Sequence, residues 1–304
     1  LGYIVFGSSL LLVIDIYNVV LFSAWPFSLW TMIGLVLYYI YRKPFLFVVM
    51  IIISTIGQIY SGISLVEFDW IIFLLTLIGA GYLSYRENSS LYQSLVGATL
   101  VLQSIVWTAV VFDHYYWYML PILLLYFTGE WLRGNKVKRI SIMYISLLAI
   151  LLFNMYQSFL LQDEWYAPKI PDFDGMFLLI WLVFFLFGLF QKWKNRRTDE
   201  WIDFVLFLPI LFLPLASFIN LIVLFLFAIG WIVIGYKKDE QQQVMHGTIA
   251  FLLSTLTVYI QYAWDAMDKS LFFFIGGVLL FILSFIIERQ RRKLTSGDKG
   301  GDGR

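Results

Sequence analysis

An all-α, polytopic membrane fold, with about twelve transmembrane helices in serial hairpins, follows from three observations on this sequence. First, 61% of the residues are hydrophobic and only 13% are charged, where a soluble domain carries about 25% charged residues. Second, the apolar residues come in successive runs that approach the roughly 20 residues a helix needs to cross hydrocarbon. Third, the short polar connectors between those runs alternate in sign.

The runs are bounded by their connectors in chain order. Spans 2–22 and 25–41 precede Arg42-Lys43, span 45–64 ends at Glu67 and Asp69, and span 70–85 ends at Arg86. Span 91–112 reaches Asp113, and 116–132 reaches the group Arg133, Lys136, Lys138 and Arg139. Span 140–161 leads to a loop holding Asp163, Glu164, Asp172 and Asp174, and 175–191 leads to Lys192, Lys194, Arg196 and Arg197. Spans 202–216 and 219–236 precede Lys237-Lys238. Span 243–263 reaches Asp265 and Asp268, and 269–288 closes on Arg289 to Lys293. Residues 1–293 read as one transmembrane domain, and the Gly-rich 294–304 as a disordered tail.

Nineteen of the 21 Lys and Arg fall on the basic set of connectors and the tail that follows the last of them, leaving only Lys169 and Lys269 on the acidic set. Cytoplasmic loops are enriched in Lys and Arg. The basic set, and with it both chain termini, is therefore expected in the cytoplasm. Trp25, Trp30, Trp70, Trp117, Trp165 and Trp264 fall near predicted outer ends and Trp131, Trp193 and Trp201 near inner ones, as indole rings collect at the headgroup level. Trp107, Trp181 and Trp231 lie deeper and are expected to pack against protein.

The stretch 202–236 has no charge between Asp203 and Lys237 to divide it. At 1.5 Å per residue an α-helix of this length is roughly 50 Å long, too long for one crossing and short for two. Two short helices turning at 216–220 fit the flanking charges best, with a re-entrant pair as the competing arrangement. Pro209 and Pro214 interrupt this stretch. A short Pro-interrupted segment marks the binding site in some transporters and is a simple kink in many other helices.

Several functions are excluded by composition. Without cysteine, disulfides, thiolate catalysis and Cys-based metal sites are absent. No Walker A, HExxH, GxSxG or GxGxxG motif occurs, so no catalytic residue, metal or cofactor is assigned. A net charge of +1, sorted by side, gives no nucleic-acid-binding patch. The chain opens at Leu1 without a basic start or a small-residue cleavage site, which points to a preceding segment.

Polar residues inside the spans carry the functional reading. Asp15 and Asn18, Gln58 and Tyr60, Gln103, Asn154 and Gln157, Ser217 and Asn220, and Gln261 and Asp265 all fall in the outer half of odd-numbered spans. Within a helix, the i,i+3 spacing of Asp15 with Asn18 and of Asn154 with Gln157, and the i,i+4 spacing of Gln261 with Asp265, place each of these pairs on one face. Two readings stand: a hydrated pocket for a small polar or lipid-linked solute, lined by Asp15, Asn18, Gln58, Tyr60, Gln103, Asn154, Gln157, Gln261 and Asp265, or interhelical hydrogen bonds that only hold helices together. Asp15 is the sharpest single residue because an ionisable group inside a span is costly. It either serves a site or sits protonated and hydrogen-bonded.

Outside the spans, the acidic, aromatic stretch 162–175 suits a sugar or cation, although acids are also simply tolerated in outer loops. His114 beside Asp113 is a conceivable general acid or base. Three classes of function therefore remain open. The chain is a transporter-like binder of a small solute, or a scaffold for another membrane protein, or an intramembrane transferase using Glu67, Asp69, Asp113 and Asp163. Lipids are partners in every case.

Two stretches carry a resemblance. Ile56 to Gly62 (IGQIYSG) and Asp268 to Lys293 (DKSLFFFIGGVLLFILSFIIERQRRK) are similar to a bacterial family of multipass predicted membrane proteins of unknown function. The second, with its Asp-Lys start, Gly-Gly helix and Arg-rich end, is the more specific. The resemblance implies many spans and a bacterial plasma (inner) membrane, and it brings no catalytic residue. Members often begin with a soluble helical segment that this sequence lacks.

Overall fold

The computed structural model describes residues 2–16, 23–134, 141–162, 174–194, 198–213 and 215–266, with isolated positions between 270 and 285. Every regular element among them is helical. The chain divides into two compact units. The first takes residues 1–150 and 176–191, and the second takes 151–175 and 192–304. Helices α8 (Ser141–Gln162) and α9 (Gly175–Lys194) each contribute residues to both.

The first unit begins with α1 (Gly2–Ile16), α2 (Trp25–Tyr41) and α3 (Pro44–Tyr60), the last continued by a π-helical turn over Ser61–Leu65. Pro26 and Pro44 stand in the first turns of α2 and α3, where the missing N–H costs nothing and the fixed φ suits a helix. Then α4 (Trp70–Leu74), a π-helical stretch Leu75–Ala80 and α5 (Gly81–Glu87) follow one another without a break. After them come α6 (Ser90–Val111), a 3₁₀ turn at Tyr115–Tyr118 and α7 (Met119–Gly134). Hairpins form because Arg42 (φ 49°) and Asn88 (φ 46°) adopt the left-handed conformation that ends a helix within two residues of the next.

Packing in this unit combines aromatics with close backbone approach. One cluster gathers Tyr38, Phe47, Met50, Tyr92 and Leu100, and another gathers Tyr3, Phe27, Trp30, Ile53 and Ile72. The Tyr3 hydroxyl donates to the Trp30 carbonyl at 2.8 Å and the Trp30 indole donates back to the Tyr3 carbonyl at 3.2 Å, tying α1 to α2. Trp30 is therefore buried against protein. A Cβ at Gly57 would stand 2.9 Å from Ile72 and press on Phe27, the small-residue contact by which apolar helices approach in lipid.

In the second unit, a 3₁₀ helix (Thr198–Phe207) and a 3₁₀ turn (Ile210–Phe212) precede α10 (Ala216–Lys238) and α11 (Gln241–Ala266). The α10–α11 turn is a Schellman motif: Asp239 takes φ 56°, and the Glu240 N–H donates to the Gly235 carbonyl at 2.9 Å. Gly247 lets the hairpin close, since a Cβ there would lie 2.8 Å from the Ile232 amide nitrogen.

The helical, membrane-spanning class stands, helix length alone supports fewer crossings than twelve, and one boundary is corrected. Among the described residues six helices, not twelve, are long and apolar enough to cross a membrane: Pro44–Leu65, Ser90–Val111, Ile142–Leu161, Gly175–Lys194, Ala216–Lys238 and Gln241–Gln261. The 17 residues of α2 and 16 of α7 make helices of only about 25 Å. The 70–87 rod ends in Arg86 and Glu87, 198–212 is not α-helical, and most of 269–288, like the 294–304 tail, lies outside the described residues. The correction concerns 202–236. The helix-to-helix turn falls before Ala216, and Asn220 is inside a 23-residue α10.

The physical reason is proline. Pro209 and Pro214 lack the N–H that an α-helix requires and restrict the preceding residue. The segment adopts 3₁₀ geometry, which rises about 2.0 Å per residue instead of 1.5 Å. Its burial follows the matching period of three: Asp203 and Phe204 are buried, as are Leu206 and Phe207, while Val205 and Leu208 are not.

Candidate functional site

Proline also creates the centre of the second unit. In a 3₁₀ helix the carbonyl of residue i accepts from the N–H of residue i+3, and for Leu206 that residue is Pro209, which has none. The Asn154 side chain of α8 fills the gap, its Nδ2 donating to the Leu206 carbonyl at 2.9 Å. Asn154, Ser158 and Asn220 are all fully buried.

Around that bond a polar centre assembles from three helices. Asn220 of α10 donates both amide hydrogens to α8, to the Asn154 carbonyl at 2.6 Å and to Ser158 Oγ at 2.9 Å. Gln261 of α11 donates to the Ser158 carbonyl at 3.3 Å and to Ser217 Oγ at 3.0 Å. Two groups of this unit have no hydrogen-bond partner among the described residues: the Asn220 Oδ1 acceptor at the centre and the Gln157 Nε2 donor on α8, on side chains 0% and 1% exposed. Asn154 and Gln157 lie one turn apart on α8.

A second polar group in this unit is ionic. Lys192 at the end of α9 meets Asp203 of the 3₁₀ helix at 2.9 Å, the two side chains being 1% and 3% exposed. The other Asp203 oxygen accepts from the Trp231 indole of α10 at 2.6 Å, and the Lys192 ammonium lies 5.3 Å from the Phe204 ring centroid. Sequence reasoning missed this pair because both charges sit at span ends, where exposed connectors are the default reading. It also placed Asn220 in a turn. The usable signal for both was the non-α character implied by Pro209 and Pro214.

The sequence-derived candidates divide accordingly. Asn154 and Gln261 meet in the second unit through Ser158, and Gln157 belongs to the same unit. Gln58, Tyr60 and Gln103 belong to the first and are engaged there. The Gln58 amide pairs with the backbone of Asp69, donating to its carbonyl at 3.0 Å and accepting from its N–H at 3.1 Å, which locks the 61–70 turn. Tyr60 packs on Phe27 with ring centroids 5.5 Å apart. Gln103 donates to Thr76 Oγ1 at 3.1 Å, beside the π-helical stretch. Asn18 and the side chains of Asp15 and Asp265 lie outside the described residues.

Of the acids considered for a transferase, Asp69 has a structural role. Asp69 caps α4, accepting from the Ile71 and Ile72 amides at 2.8 and 2.9 Å, and it accepts from Ser28 Oγ at 3.4 Å. His114 stacks on Tyr116 at 5.1 Å. Asp163 lies outside the described residues. No group of three or more His, Asp or Glu among the described residues is placed to hold a metal ion. The chemistry that the polar centre offers is hydrogen bonding by neutral amides and hydroxyls to a guest that both donates and accepts. No protein-family model, curated protein or solved structure matches this chain.

Proposed function

We propose that this chain is a multipass protein of the bacterial plasma membrane that binds and moves a small, uncharged, polar solute through the polar centre of its second unit. The observation that carries the reading is the pair of unmatched buried groups, Asn220 Oδ1 and Gln157 Nε2, beside a carbonyl that proline has freed. An unsatisfied polar group away from water costs several kcal/mol. A guest carrying one donor and one acceptor relieves both. Irregular backbone at membrane depth is tolerated where it is buried in protein or lines a hydrated cavity, and interrupted helices form the substrate sites of several transporter folds.

Twelve crossings with both termini in the cytoplasm belong to the same proposal. Sign alternation of the connectors supports it. So does length: the 15 residues of 198–212, at about 2.0 Å each, reach roughly the 30 Å thickness of the hydrocarbon core. The 23 residues of α10 return over about 35 Å.

The test is thermal unfolding of the purified protein in nanodiscs against a panel of neutral polyols, sugars and carboxamides. One or more members raise the midpoint of the wild type, and Asn220→Leu and Gln157→Leu abolish that shift. Absence of any shift, together with greater stability of both Leu variants, would identify the amides as helix-to-helix contacts and end the proposal.

A further inference from the structure

A ten-residue 3₁₀ helix (Thr198–Phe207) is far beyond the three or four residues at which such helices ordinarily stop, and a long one marks a segment under strain or a hinge. Something outside the segment holds it extended. Two tethers are in place. Near its end, the Leu206 carbonyl is bound by Asn154. At its middle, Asp203 is bound by Lys192 from α9 and by Trp231 from α10. Asp203 and Leu206, three residues apart, fall on one face of the 3₁₀ helix.

The two tethers differ in kind. The amide tether belongs to the polar centre, whereas the ionic one takes two full charges out of water. Apolar side chains of similar volume often hold such a position as well or better, and the best-attested use of a buried polar group is to select one of two arrangements. Gly230 of α10 packs against Ile202 at the same level, so the segment is clamped where the carboxylate sits.

We propose that Lys192, Asp203 and Trp231 form a latch that keeps the 198–207 segment in its stretched 3₁₀ form. Opening the latch lets the segment shorten toward an α-helix, which draws the Leu206 carbonyl away from Asn154. Relaxation of all ten residues retracts the segment by about 5 Å, the difference between rises of 2.0 and 1.5 Å per residue. The functional consequence rests on the reading of the polar centre as a solute site: the latch decides whether that site is assembled.

The test measures length in the solute-free protein, so it is independent of whether a solute is ever found. The chain has no cysteine, and spin labels on cysteines placed at Trp201 and Leu213, 46% and 47% exposed, are therefore the only ones present. Pulsed electron-electron distance measurements in nanodiscs give a single wild-type separation. Asp203→Asn and the milder Trp231→Phe each add a population shorter by about 3 Å, the part of the contraction lying between the labels. The exchanged pair Lys192→Asp with Asp203→Lys restores the single distance. A brace without a switching role predicts a lower melting temperature with an unchanged distance in Trp231→Phe and in Asp203→Asn. That result overturns the proposal, as does an exchanged pair that folds but keeps the short population.

Discussion

Asn154 and Pro209 should be energetically coupled although they are 55 residues apart in sequence. Asn154→Leu keeps the side-chain volume and removes the donor to the Leu206 carbonyl, a bond of 2.9 Å. Leaving a buried carbonyl unsatisfied costs about 1–3 kcal/mol. Hydrogen bonds between membrane helices reach at most about 1.7 kcal/mol in double-mutant cycles, so a loss of about 1.5 kcal/mol is expected. Pro209→Ala returns an N–H three residues after Leu206, in position to accept the same duty. In that background Asn154→Leu should cost only about 0.5 kcal/mol, a coupling of about 1 kcal/mol against the 0.3–0.5 kcal/mol within which independent sites add. Reversible unfolding in mixed micelles, followed by tryptophan fluorescence, measures all four corners of the cycle. An additive double variant would refute the argument that proline orphans the Leu206 carbonyl.

Further outcomes follow from the turns and close contacts. Val66 is 70% exposed and held at φ 54°, a conformation costing a side-chain-bearing residue about 1–2 kcal/mol. Val66→Gly should therefore raise stability by about 1 kcal/mol in the same unfolding assay. Asp69→Ala removes the cap on Ile71 and Ile72 and should cost about 1 kcal/mol, with faster hydrogen exchange at those two amides. Gly247→Val drives side-chain atoms into the Ile232 backbone and should cost about 1–3 kcal/mol, as overpacking does. Single cysteines at Trp165 and at Arg86 test sidedness: an impermeant maleimide added to intact cells should label the first and spare the second. Labelling of only the second would reverse the topology.

Legibility in the sequence was greatest where a property is local. Helical class, candidate spans and connector signs follow from runs of residues, because a helix in hydrocarbon satisfies its backbone within itself. The existence of polar residues at Asn154, Gln157 and Gln261 was equally plain, and they do share a unit. Their partners were not legible. Asn154 reaches Leu206 across 52 residues and Gln261 reaches Ser158 across 103. Gln58, with the same residue type and a similar setting, closes on the nearby Asp69 instead.

What this sequence determined by itself is the apolar length and charge order that make a multipass helical chain, together with two prolines, Pro209 and Pro214, that interrupt any continuous α-helix through 202–236. Only the tertiary structure decided what that segment becomes. Proline removes donors but does not choose the substitute geometry. The choice is made by side chains on other helices, Asn154 at the orphaned carbonyl and Lys192 with Trp231 at Asp203. A ten-residue 3₁₀ helix persists only while such distant groups hold it extended.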